Sequence, residues 1–379
     1  MSFFGNDAIN RVNIHYGIQA LAQGAGGVFI LAFLLHAGVS IPITLATQAA
    51  ILFSRIVLRP VVLPLAKLWG LKILLLVGTV AMAVQYPLLA RVHGAGEALI
   101  TVSIVAAIGD VLYWPTYHAY FAALGDAEHR GHQVSAREAL VAAVGILAPL
   151  VGGWSLVALG PSVTFASVGV VQALAAVPLL GAPNRTVAST SPGAYRAARP
   201  AFWLTAADGW FGASYYWIWL LALFVALHGN LAAFGGAMAL SALAAAICGL
   251  ILGRFIDLGH GRRAVVMAYG VAAAIVILRA LSLRSPWLAV TANALGAFVT
   301  ALVVPTLMTA TYNMAKSSPC PFRFHLATEA GYDLGCGSAC LVAALIAASG
   351  YSLSWAIALA LPGAALSAFW LWRRYPRSV

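Results

Sequence analysis

The sequence predicts an all-α membrane protein, with twelve transmembrane helices in two pseudo-symmetric six-helix bundles. Three observations lead there: a scarcity of charge, apolar stretches of bilayer length at regular intervals, and an internal repeat. Of the 379 residues only 8% are charged and 62% are apolar, and the mean hydropathy is +0.93. A soluble domain carries about a quarter charged residues, so this composition excludes the soluble classes. A hydrocarbon core roughly 30 Å thick takes about 20 apolar residues per helical crossing.

Stretches of that length start near Ile14, Ile41, Ile73, Ala98, Ala136, Ser162, Phe202, Leu231, Ala264, Pro286, Phe322 and Ser352. The breaks between them carry turn chemistry: Gly94-Ala95-Gly96, Gly160-Pro161, Gly229-Asn230, Ser285-Pro286 and Ser349-Gly350. The longest polar interruption, residues 182–200, has no apolar period and reads as a linker. It divides an N-terminal bundle, residues 1–181, from a C-terminal bundle, residues 201–379. With both termini in the cytoplasm, every Lys and Arg except Arg91, Arg279 and Arg284 falls on the inner side. That bias sets the orientation. It also accounts for the net charge of +11, because no basic run is interleaved with aromatics as nucleic-acid binding would need. No cleavable signal peptide is visible, since the first apolar segment is a full span.

The halves repeat at an offset of about 191 residues. Leu35-His36 matches Leu227-His228, Gly70-Leu71-Lys72 matches Gly261-Arg262-Arg263, Pro115-Thr116 matches Pro305-Thr306, and Glu138 matches Glu329. Four matches in one order indicate a duplicated six-helix unit, as in transporters whose site lies between two bundles.

The loop after span eight runs Gly253-Arg-Phe-Ile-Asp257-Leu-Gly-His-Gly261-Arg262-Arg263. It resembles the G-x-x-x-D-…-G-R-[KR] signature of the major facilitator superfamily, with one residue inserted. The loop after span two keeps Gly70 and Lys72 but has Ala66 or Lys67 at the acidic position, and Arg130-Gly131 is similar to the family's element after span four. Ala148-Pro149-Leu-Val-Gly152-Gly153 in span five is similar to its antiporter motif, with Ala for the first Gly. The resemblance implies alternating access, a bacterial inner-membrane setting, and a central cavity lined by spans one, four, seven and ten. The arginine usual in span four of such antiporters is absent, and Asp110 stands in that region.

An ionisable group inside the hydrocarbon is a functional candidate by default. Asp110 sits near the middle of span four with Tyr113 and Tyr117 at helical spacing, and His118 beside them. Asp208 lies in span seven, followed by Tyr215 and Trp219. Tyr16, Gln19 and Gln23 form a polar stripe on span one, and Asn293, Thr300 and Thr311 one on span ten. Ordinary hydrogen bonding between helices is the alternative for each. Arg55 and Arg59 share a stripe of span two with Thr44 and Gln48, at the depths of Glu329 and Asp333 in span eleven. Lone charges there would be costly, so the expected pairs are Arg59 with Glu329 and Arg55 with Asp333, forming a gate between the bundles or a static tie.

His325, Glu329, Asp333, Cys336 and Cys340 share one stripe of span eleven and raise the possibility of a transition metal. Members of that stripe eight to fifteen positions apart lie about 12 to 22 Å apart at 1.5 Å rise, so one ion cannot use them all. No metal or other cofactor is expected. Cys248, Cys320, Cys336 and Cys340 suggest no disulfide framework. Close glycine contacts between helices, not phosphate loops, explain Gly24, Gly26, Gly27, Gly152 and Gly153.

The functional expectation is a monomeric, non-enzymatic secondary transporter that exports a small organic solute with proton coupling. Two alternatives stay open: an importer of a metal or metal complex, and a membrane sensor or assembly factor that moves nothing.

Overall fold

The computed structural model describes residues 6–125, 130–256 and 261–375. These are largely helical, with no strand among them. Helix α1 (Asp7–Ala25) is capped by Asn6, whose side chain accepts from the Ile9 amide at 3.1 Å. A 3-10 turn at Gly27–Phe29 then leads into α2 (Ile30–His36), completing one apolar span.

Helix α3 (Ile41–Leu89) runs for 49 residues, broken at Gly70. Gly70 has φ 78 and ψ 168, a left-handed turn conformation that favours glycine. The chain continues through α4 (Glu97–Leu124), α5 (Arg130–Ala158), α6 (Gly160–Leu174), α7 (Ala176–Leu180) and α8 (Ala194–Gly212). A π turn over Ala213–Ile218 joins α8 to α9 (Trp219–Ala226). Then come α10 (Leu231–Ile256), α11 (Gly261–Ser282), α12 (Pro286–Lys316), α13 (Pro321–Ala348), α14 (Leu353–Ala358) and α15 (Ala360–Arg374).

Among the described residues, ten helical segments are long and apolar enough to cross a membrane. Their outward faces are apolar: Val57 is 77% exposed and Trp287, at the start of α12, 83%. In water such a surface would be a liability, whereas in lipid it is the required one.

Contacts between the two halves of the chain run chiefly through α3 with α13 and α5 with α10. Tight helix approach makes the second contact possible. A Cβ on Gly153 would lie 2.8 Å from the Leu231 carbonyl oxygen, so a larger residue there would force α5 off α10. Phe29 meets Phe234 edge-on at 5.5 Å and fills the space beside it.

The segment between α7 and α8 is strapped to the Gly70 turn. Asn184 Oδ1 accepts from the Lys72 amide at 3.0 Å, and the Leu71 amide donates to Arg185 O at 2.7 Å. The Tyr120 hydroxyl donates to Pro183 O at 2.7 Å, and Arg323 Nη2 to Ala188 O at 3.0 Å. Helical structure resumes at Ala194, inside the stretch expected to be linker.

Candidate functional site

A cavity of about 370 Å³ lies between the two halves. Helical spacing explains which side chains reach it. Asp110, Trp114 and His118 enter from one face of α4, and Gln48, Ile51 and Arg55 from one face of α3. From the second half come Thr205 and Asp208 of α8, Trp217 of the π turn, Leu307, Thr311 and Tyr312 of α12, and His325, Glu329 and Tyr332 of α13. Gln23 enters from α1.

Arg55 is the hub of an ionic cluster in the wall. Its Nη1 lies 3.4 Å from Asp110 Oδ2, and its Nη2 lies 3.4 Å from Glu329 Oε2 and 3.0 Å from Asp333 Oδ1. Arg59 Nη2 donates to Asp333 Oδ2, and its Nη1 donates to Leu326 O at 3.5 Å. Beside them, His118 Nε2 is 3.9 Å from Glu329 Oε1, and its ring stacks on His325 at 5.5 Å. Asp333 is fully buried, so two guanidinium partners offset its desolvation.

This arrangement departs from the depth-matched pairs expected from the sequence. Arg55 does meet Asp333, but Arg59 also turns to Asp333, and Glu329 goes to Arg55. Where α3 crosses α13, Asp333 sits between the two arginines, so pairing by depth alone misassigns Arg59. Asp110 joins the cluster through the close approach of α4 to α3, which spacing along one helix does not foretell.

Of the other expected site residues, Gln23, Asp110, His118, Asp208 and Thr311 line the cavity. Tyr113 and Tyr117 are fully buried elsewhere, on the side of α4 facing α1. Tyr113 donates to Gln19, its hydroxyl lies 2.9 Å from His15 Nε2, and Tyr117 stacks on Tyr16 at 4.8 Å. His15, which sequence reasoning missed, completes this knot through Nδ1, 2.7 Å from Ala175 O.

Tyr215, Trp219 and Asn293 likewise bind helices together. The Tyr215 hydroxyl donates to Gly296 O and Trp219 Nε1 to Asn293 Oδ1, each at 2.9 Å. Thr300 is exposed and outside the cavity lining. Arg279, expected on the outer side, is buried in the last turn of α11. Its Nη1 donates to Tyr215 O at 2.8 Å, and its guanidinium lies over the rings of Tyr215 and Trp219 at 4.0 and 4.6 Å.

In the loop signature, Asp257 lies outside the described residues, and Gly253 falls on α10. Gly261 opens α11 with φ 45. Arg262 Nε donates to Tyr375 O at 3.0 Å, with its guanidinium 4.2 Å from the Trp372 ring, and Arg263 beside it is exposed. Among the described residues, no three His, Cys, Asp or Glu side chains are grouped to hold a metal ion. Cys248, Cys320, Cys336 and Cys340 are free and buried.

No family model matches the chain, and no curated protein matches it in sequence. Among solved structures it is similar to the crystal structure of a point mutant of the nucleoside transporter NupG. The TM-score is 0.67, covering 96% of this chain and 98% of that one, at 13% identity. At such identity the likeness speaks for the fold alone.

Proposed function

We propose that the chain is a secondary active transporter that works by alternating access and exports a small organic solute in exchange for protons. The reading counts twelve crossings in two six-helix halves. Helix α3, at 49 residues with a reversal at Gly70, crosses twice, and α5, apolar over Val144–Ala158, supplies the crossing beside α10. Residues 1–181 and 201–379 form the halves, both termini and the intervening strap face the cytoplasm, and the protein acts as a monomer in a bacterial inner membrane.

One observation carries the mechanism: Arg55, in the cavity wall, holds Asp110 of its own half and Glu329 and Asp333 of the other. A proton arriving on Asp110 or Glu329 removes one claim on the guanidinium and shifts the balance between ties within a half and ties across the boundary. Because α3 and α13 meet at that boundary, the shift is coupled to opening. His118, 3.9 Å from Glu329 and bordering the cavity, offers a route for the proton.

The test is accumulation by proteoliposomes under an imposed pH gradient, with organic amines, nucleosides (the class in NupG's description) and carboxylates as the solute panel. Gradient-dependent movement of one class, abolished by a protonophore, supports the proposal. Gradient-independent equilibration makes the protein a facilitator, and no movement of any solute favours the non-transporting alternative.

A further inference from the structure

We propose that Asp208 is the counter-ion for a protonated amine, so that the cavity takes an organic cation with an aromatic or apolar body. The proposal rests on the transporter reading and names the substrate class of that same site.

Its starting point is a charge imbalance. Two guanidinium groups, Arg55 and Arg59, serve the carboxylates of Asp110, Glu329 and Asp333. Asp208 reaches the cavity from α8 with no ion pair or hydrogen bond among the described residues. Thr205, one turn earlier, has its hydroxyl within reach of three backbone carbonyls, Thr328 O being nearest at 2.7 Å and Ala201 O and Phe202 O at 3.0 and 3.1 Å. A carboxylate inside the membrane with no protein donor calls for a cation from outside.

The second observation is the π turn at Ala213–Ile218. In a regular α-helix, at about 100° per residue, Trp217 would lie on the face opposite Asp208, nine positions earlier. The wider turn carries it round, and both side chains line the cavity. Arg279 Nη1 holds Tyr215 O inside that turn at 2.8 Å. Such turns concentrate where a helix must re-aim a side chain for function. The Trp217 indole N–H is buried with no hydrogen-bond partner.

The site therefore presents one free acceptor of charge and the rings of Trp217, Tyr312 and Tyr332. Aromatic rings, tryptophan best of all, attract ammonium groups through their quadrupole. A cavity of about 370 Å³ suits a molecule of one or two rings.

The test compares probes of matched shape on the purified, detergent-solubilised protein, with no gradient: 2-phenylethylamine, which is cationic at neutral pH, and neutral 2-phenylethanol. The amine is expected to bind at least tenfold tighter by calorimetry. Asp208→Asn should erase that preference, and Asp208→Glu should keep it. Equal binding of amine and alcohol, amine preference that survives Asp208→Asn, or no binding of either probe would overturn the proposal. If Asp208→Asn does not fold, protection of a Thr205→Cys thiol from maleimide by the amine decides the location, and absent protection counts against it. Amine binding without gradient-driven transport would leave this inference standing while the coupling mechanism fell.

Discussion

Arg55 Nη1 and Asp110 Oδ2 stand 3.4 Å apart, tying α3 to α4 within the first half of the chain. The same guanidinium reaches Asp333 across the boundary at 3.0 Å. One cation thus serves two bodies that, in the proposed cycle, must sometimes part. The cluster is poised because neither body owns the charge outright.

Asp110→Asn mimics the protonated acid and leaves Arg55 to Glu329 and Asp333. Gradient-driven accumulation should disappear, while exchange of labelled for unlabelled solute at equal pH continues. Counterflow in proteoliposomes measures both. Retained accumulation would make Asp110 structural.

Arg59→Asp places a second acid beside buried Asp333, and the loss should be about 3–5 kcal/mol of stability with transport abolished. Adding Asp333→Arg restores opposite charges on α3 and α13. Partial recovery of melting temperature and transport is expected, since Arg55 then faces an arginine at 333. No recovery in a folded, inserted double variant would show that the pair is not exchangeable and that the surrounding cluster sets its polarity.

Arg279→Ala removes the donor that satisfies Tyr215 O in the π turn, together with stacking on two rings. The cost should be about 2–3 kcal/mol, seen as a lower melting temperature. Arg279→Lys should recover part of it, because a point charge can reach the carbonyl but cannot lie flat on Tyr215 and Trp219.

The proposed orientation places the strap inside the cell and the turn before α4 outside. Ser189 and Ala95 are both exposed. Cysteines at these positions, in a background lacking the native four, should react oppositely with an impermeant maleimide applied to intact cells. Labelling of Ser189→Cys from outside would invert the topology.

Much of the fold was legible because bilayer thickness imposes a length on every span, and Gly and Pro punctuate the turns between spans. The ionic cluster was legible too: charge in an apolar sequence is conspicuous, and depth along α3 and α13 narrows the partners. What the sequence does not carry is rotation and approach. Tyr113 and Tyr117 share α4 with Asp110, yet they pack toward α1 in a knot with His15 and Gln19. The pairing of Arg59 depended on a crossing angle that spacing leaves free. Trp217 lines the cavity because of a π turn, which no apolar periodicity announces. Arg279 read only as a charge on the outer side, and its burial comes from the tertiary packing of Tyr215 and Trp219.

The central claim is that α3 and α13 separate beside the charged cluster in every transport cycle. Leu52 and Gly337 lie one turn beyond Arg55 and Asp333, and a Cβ on Gly337 would stand 3.4 Å from Leu52 Cβ. That spacing suits a disulfide without disturbing any charged residue. Leu52→Cys with Gly337→Cys, in the background lacking native cysteines, should transport when reduced, stop when oxidised, and recover on reduction. Undiminished transport by the fully oxidised protein would contradict the account.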